Sequence, residues 1–106
     1  MYARKVTLKL KPDSSAEFTR KLENDVIPLL RKQKGFQDEI AFTSNGGRDA
    51  LGISLWDRKE SAEAYERGAY PQVQKMLEKV TEGTQVCESY DVTNSTFHKL
   101  VAAATT

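Results

Sequence analysis

Apolar and polar residues alternate over the start of the chain, and the same period of two returns in three later segments. This alternation is typical of β-strands with one buried face. It predicts four strands, at residues 2–11, 36–43, 50–56 and 84–93. We expect the apolar set of each strand to face the core: Val6, Leu8 and Leu10; Phe36, Ile40 and Phe42; Leu51, Ile53 and Leu55; Val86, Tyr90 and Val92.

Two helical segments separate these strands. Apolar residues recur at helical spacing between Ser14, which opens a capping box, and Gly35, which is expected to end the first helix. Pro28 lies inside this segment and should kink its last turns, because proline has no backbone donor. The second segment is interrupted at Pro71 and is expected to end at Gly83.

The order of the elements, strand–helix–strand–strand–helix–strand, predicts an α+β domain of the ferredoxin-like βαββαβ type. Its four-stranded antiparallel sheet would carry both helices on one face. We expect residues 1–93 to form this domain and residues 94–106 to form a C-terminal extension. The face without helices is expected to be small and polar. Ala50, Gly52 and Ser54 would lie on it, with Trp56 as its one large apolar group.

The bare sheet face and the apolar tail together predict a homodimer. Antiparallel sheets tolerate a wet face, but small residues allow a second layer to approach closely, and an ordered terminus needs a surface to pack on. We expect two sheets to pack face to face about a twofold axis, with residues 95–101 reaching the other subunit. The candidate interface residues are Ala50, Gly52, Ser54, Phe97 and His98.

Composition narrows the classes of partner and compartment. The 106 residues include 16 Lys and Arg against 15 Asp and Glu, a net charge of +1, so no strong field attracts nucleic acid or a membrane. Cys87 is the only cysteine, which suits a reducing compartment, and no segment is apolar enough for a membrane span. We therefore expect a cytoplasmic protein. His98 is the only histidine, which excludes metal sites built on several imidazoles.

Two stretches of the sequence carry a family resemblance. Residues 26–30, Val-Ile-Pro-Leu-Leu, lead to Gly35-Phe36, and Leu55-Trp56-Asp57 precedes an acid-rich segment that starts at Glu60. With the order of the strands, these stretches resemble the antibiotic biosynthesis monooxygenase family of the dimeric α/β-barrel superfamily, over roughly residues 2–91. The resemblance implies a dimer with Trp56 in a pocket. It also implies oxygenation without a metal or flavin cofactor, as in the quinone-forming members.

The sequence departs from both catalytic patterns of that family. The quinone-forming pattern has an Asn before the Trp and a Tyr after it, and Gly52 and Ala62 stand at these positions. The haem-degrading pattern needs a His in the following helix, where this chain has Glu66, and an Asn in the first strand, which has none. Haem degradation is therefore not expected.

Two hypotheses for the function follow. The first is a cofactor-independent monooxygenase acting on a small aromatic or quinol-type substrate, in which Tyr65 or Tyr70 could donate a hydrogen bond to a quinone-like oxygen. The alternative is a non-catalytic binding or structural module, whose interior should contain no cavity of the roughly 300 Å³ typical of small-molecule sites. The candidate pocket residues are Phe18, Leu22, Phe42, Trp56 and Tyr65.

Overall fold

Four antiparallel strands form the sheet that the alternating segments predict. In the computed structural model, which describes residues 1–99, they are β1 (Tyr2–Leu10), β2 (Phe36–Thr43), β3 (Asp49–Trp56) and β4 (Thr81–Asp91). The strand order is β2-β3-β1-β4, with β1 antiparallel to both of its neighbours. This is the ferredoxin-like arrangement, so the predicted fold is confirmed.

Two broken helices cover one face of the sheet. The first consists of α1 (Ser15–Lys21), a π-helical turn (Leu22–Val26) and α2 (Ile27–Arg31). The second consists of α3 (Lys59–Arg67) and α4 (Tyr70–Leu77). No helix within residues 1–99 is both long and apolar enough to cross a membrane.

Two local predictions about helix ends are wrong. The Ser14 side chain does not cap α1, because its hydroxyl donates instead to the carbonyl oxygen of Pro12 at 3.3 Å. Gly83 does not end the second helix. It lies inside β4 with a φ of 72°, close to the point where the register between β1 and β4 shifts. Glycine suits such an irregularity because it has no Cβ to clash at positive φ.

The pairing of β1 with β3 decides which residues face the helices. Val6 lies opposite Gly52, and Leu8 lies opposite Ala50. Residues directly opposite each other in an antiparallel pair point to the same face of the sheet. Since Leu8 belongs to the core beneath the helices, Ala50 and Gly52 must face the helices as well.

The predicted composition of the open face is therefore wrong. Ala50, Gly52, Ser54 and Trp56 all lie on the helix-covered side, and Trp56 is completely buried there. The helices bring their own large aromatic side chains to this layer, so small residues on β3 leave them room. Apolar residues of β2, β3 and β4 instead point to the side without helices: Ile40, Phe42, Leu51, Ile53, Val86 and Tyr90.

The C-terminal extension starts across one end of this open face. Val92 donates its backbone N–H to the carbonyl oxygen of Met1, and the Ser95 hydroxyl accepts the backbone N–H groups of Phe97 and His98. The His98 ring contacts the Asp38 carboxylate of the same chain, at the far edge of the sheet. Of the predicted tail segment, residues 100 and 101 lie outside the described residues.

Candidate functional site

A small cavity lies between the helices and the sheet. Its volume is about 50 Å³. The helices line it with apolar side chains: Phe18, Leu22, Val26, Leu30, Val73 and Leu77. The sheet lines it with Val6, Leu8, Ala41 and Gly52. Polar groups also reach it: Arg4, Glu39, Ser54, Tyr65, Tyr70 and Gln85.

Small residues on β2 and β3 create this space. Ala41 and Gly52 are paired across the two strands and form the floor of the cavity. A Cβ atom at Gly52 would lie 2.7 Å from an oxygen of the Glu39 carboxyl group. Gly52 therefore makes room for this carboxyl group above the sheet. Any residue with a side chain at this position would displace the carboxyl group.

The two broken helices above the cavity are irregular at the positions that line it. The π-helical turn supplies Leu22 and Val26, and the break between α3 and α4 lies between Tyr65 and Tyr70. π-helical turns often occur at functional sites, because the extra residue disturbs the regular helical hydrogen bonds.

Arg4 is the buried cation of the site. Its residue is only 3% exposed, although it belongs to the central strand β1. The guanidinium group lies 4.5 Å from the ring centre of Tyr70 and 5.4 Å from that of Tyr65, distances that allow cation–π attraction. Nη2 contacts the Glu66 carboxylate at 3.3 Å and the Cys87 sulfur at 3.6 Å, while Nε is buried and has no hydrogen-bond partner among residues 1–99.

Glu39 is the half-buried acid of the site. It lies on β2 opposite Ser54, which in turn lies opposite Arg4, so the three residues form one row across the sheet. Burial raises the pKa of the Glu39 carboxyl from 4.5 to about 8, although the Arg4 charge acts in the opposite direction. The carboxyl is therefore mostly protonated at neutral pH. It can act as a hydrogen-bond donor there and as a base at slightly higher pH.

The two tyrosines are held as neutral hydroxyls. Burial raises the pKa of Tyr65 and, together with the Cys87 side chain, that of Tyr70. Tyr70 contacts the Gln85 side chain and lies 3.5 Å from the Cys87 sulfur. The Tyr65 ring stacks on Trp56 at 4.9 Å. Trp56 in turn donates its indole N–H to the Ser54 hydroxyl at 2.9 Å, which fixes both residues beside the cavity.

The predicted pocket residues are only partly brought together. Phe18, Leu22 and Tyr65 line the cavity. Trp56 does not reach it and stands behind Tyr65. Phe42 lies on the opposite face of the sheet, 49% exposed, because β2 turns this side chain away from the helices.

Sequence reasoning missed Arg4 and Glu39. One signal was available for Arg4: it shares the period-two face of Val6 and Leu8, so the alternation that buries these two side chains also places a charge on the buried side of β1. No comparable signal existed for Glu39, because the buried side of β2 was predicted to be that of Phe42. Within residues 1–99, no three His, Cys, Asp or Glu side chains are grouped so as to hold a metal ion.

The sequence matches no protein-family model and no curated protein. Solved structures do match the fold. A protein of unknown function from Nitrosomonas europaea, NE2512, superposes with a TM-score of 0.73 at 18% identity, covering 95% of this chain and 94% of its own. The monooxygenase ActVA-Orf6 of Streptomyces coelicolor, solved with nanaomycin D, gives 0.70 at 14% identity, with 92% of each chain covered.

A third structure is that of SnoaB, a cofactor-independent oxygenase from Streptomyces nogalater. Its TM-score is 0.71 at 11% identity, and the match covers 92% of this chain and 97% of that one. At these identities the likeness concerns the fold. The chain has the fold of the antibiotic biosynthesis monooxygenases, as its sequence resemblance implies.

The raised pKa of Glu39 predicts a pH-dependent stability. Between pH 4.5 and about 8 the folded state holds a proton that the unfolded chain has lost, so this group lowers the free energy of unfolding as pH rises through that window. Glu39→Gln should remove the effect. At pH about 9 the variant should be more stable than the wild type by more than about 1.4 kcal/mol, the equivalent of one pKa unit, with no difference below pH 4.5.

Urea denaturation across this pH range measures the difference. Glu60→Gln removes an exposed carboxylate from α3 and serves as the control, which should follow the wild-type curve. Parallel curves for the wild type and Glu39→Gln would contradict the assigned burial of the carboxyl group.

Proposed function

We propose that this chain is a cofactor-independent monooxygenase that oxidises a small phenolic or quinol-type aromatic. The observation that carries the proposal is the Glu39 carboxyl group, which faces an otherwise largely apolar cavity in the same row as Arg4. With a pKa of about 8, the carboxyl group is partly ionised near neutral pH, and its ionised form is a far stronger base than a carboxylate with an ordinary pKa. The fold shared with SnoaB and ActVA-Orf6 supports the same class of reaction.

The reaction needs a base and a stabilised anion. Glu39 would take a proton from an activated methylene or hydroxyl group of the substrate, and Arg4 would stabilise the anion that remains. The anion passes electrons to O₂, and a bond forms between its carbon and one oxygen atom. Cleavage of the O–O bond with loss of water then converts this carbon, a methylene or the ring C–H carbon of a phenolate, to a carbonyl, so one oxygen atom enters the product and the other leaves as water. The substrate itself supplies the electrons.

The cavity must enlarge before an aromatic ring can enter. Its volume of about 50 Å³ lies below the range of roughly 300–1,000 Å³ that is usual for small-molecule sites. Outward movement of the π-helical turn and of the α3–α4 break would open it, because both lie over the cavity. A cavity that stayed closed would instead support the alternative of a non-catalytic module.

Oxygen consumption with a panel of hydroxyanthrones and quinols tests the activity. The wild type should consume one O₂ for each carbonyl formed, and its rate should rise with pH towards a plateau above about 8, as Glu39 ionises. Glu39→Gln should lower the rate by about a hundredfold or more, the usual contribution of a general base. Glu60→Gln is the matched control and should retain the wild-type rate.

No oxygen uptake across the panel, with a correctly folded protein, would reject the oxygenase and favour the non-catalytic module. A flat pH profile in an active enzyme would reject Glu39 as the base.

We also propose that the protein acts as a homodimer in the cytoplasm. The open sheet face carries exposed apolar side chains, among them Ile40 and Phe42 on β2 and Val86 and Tyr90 on β4. On β2 and β3 the apolar side chains adjoin one another, while Lys5 and Thr7 of β1 separate them from Val86 and Tyr90. An exposed apolar patch such as that of β2 and β3 often marks an interface. A second copy would cover it with an identical face. The unpaired Cys87 thiol favours a reducing compartment.

Size-exclusion chromatography with light scattering tests the dimer. The wild type should be a dimer at micromolar concentration, and Phe42→Glu should be a monomer, because it places a charge beside Leu51 in the apolar part of the open face. Gln74→Glu adds the same charge on the exposed side of α4 and should remain dimeric. A wild-type monomer would contradict the proposal.

The same measurement on a chain ending at Thr93 tests the tail. If residues 94 onwards contact the partner, the truncated dimer should dissociate at a higher protein concentration than the full chain. An unchanged dimer would reject only this role of Phe97 and His98.

A further inference from the structure

Arg4 has fewer partners than a buried cation requires. Burying a charge is costly unless hydrogen bonds and an opposite charge compensate for it. Within the described part of the chain, its carboxylate contact is a single bond of 3.3 Å to Glu66, whose side chain is 51% exposed to competing water. Nε has no hydrogen-bond partner there. The two tyrosine rings attract the cation but accept no hydrogen bond from Nε.

We propose that Arg4 is the binding residue for an anionic oxygen of an aromatic ligand, a carboxylate or an ionised phenol, whose ring occupies the apolar cavity. This deepens the proposed function, since it names the chemical class of substrate for the same site. The planar guanidinium fork suits the two oxygens of a carboxylate. An anionic ligand would satisfy the unpaired donor and would replace Glu66 as the main opposite charge.

The remaining walls of the cavity fit the ring of such a ligand. Phe18, Leu22 and Val26 cover it from the helical side, and Ala41 and Gly52 add little bulk on the sheet side, where the Glu39 carboxyl group lies over Gly52. The cavity therefore combines apolar walls with a few charged and polar groups. Small-molecule sites commonly combine a few polar groups with apolar walls in this way.

The groups around Arg4 predict how binding depends on pH. Glu39 faces it from β2, Glu66 and Tyr65 from α3, Tyr70 from α4 and Cys87 from β4, while the first helix contributes apolar side chains. The raised pKa of Glu39, about 8, brings the change in its charge close to neutral pH. Its ionised form would compete with the ligand for Arg4, so anion binding should weaken as pH rises through about 8.

Binding of benzoate and of its uncharged isostere benzamide tests the proposal, measured by calorimetry at pH about 7, where Glu39 is protonated. Pentafluorophenolate represents the ionised phenols, so the two anions distinguish the two sources of the charge. We expect at least one anion to bind at least about tenfold more tightly than benzamide, the size of effect that one hydrogen bond to a charged group provides. Equal affinities, or no binding of either anion, would overturn the proposal.

Three variants identify the residue responsible. Arg4→Met should abolish the preference for the anion, and Arg4→Lys should keep part of it. Glu66→Gln changes only an exposed partner of Arg4, so it should fold even if the Arg4 variants do not, and it should raise anion affinity severalfold. Unchanged affinity in Glu66→Gln, or an unchanged preference in folded Arg4→Met, would overturn the assignment to Arg4.

The pH dependence of anion binding distinguishes this proposal from the proposed oxygenase activity. Anion affinity of the wild type should fall between pH about 7 and about 9, and Glu39→Gln should show no such fall. This binding is measured without turnover. Anion binding in a protein that consumes no oxygen would support the anion site and reject the oxygenase. Oxygen consumption without anion binding would support the oxygenase and reject the anion site.

Discussion

The structure depends on how the central strand β1 pairs with β3. β1 turns Val6 and Leu8 towards the helices, whereas β3 presents Ala50 and Gly52 on that side and its branched side chains on the other. The side chains beneath the helices are therefore large at Val6 and Leu8 of β1 and small at the paired positions of β3. The space over these small residues becomes the cavity, and the branched residues of β3 lie on the open face beside Ile40 and Phe42 of β2. Both candidate surfaces of the molecule follow from this one pairing.

The pairing of β1 with β3 also helps to place an acidic and a basic side chain beside the cavity. Glu39 and Arg4 lie on either side of Ser54 in one row across three strands. Burial favours the neutral acid, while the nearby cation favours the carboxylate, and the balance leaves the carboxyl with a pKa near 8. A group balanced in this way can gain or lose a proton without a large change in its surroundings. That property is what acid–base catalysis at neutral pH requires.

The order of the elements could be predicted from the sequence, but the faces of the strands could not. Alternation gives the period of a strand and leaves open which of its two faces is buried. For β1 the apolar face was assigned correctly, and Arg4 could have been noticed there. For β3 the same rule placed Leu51 and Ile53 inside, because the large aromatic residues of the helices that exclude them could not be located in advance. Glu39 was missed for the same reason, since it shares its face with Ala41 rather than with Phe42.

The central claim is that the sheet buries an acid and a cation in a cavity beneath the helices. A carbon NMR titration of the Glu39 carboxyl group tests it most directly, with the resonance assigned from Glu39→Gln. The account predicts a midpoint near 8 in the folded protein. A midpoint close to the ordinary value of 4.5 would show that the carboxyl group is in water, and the proposed site would then be contradicted.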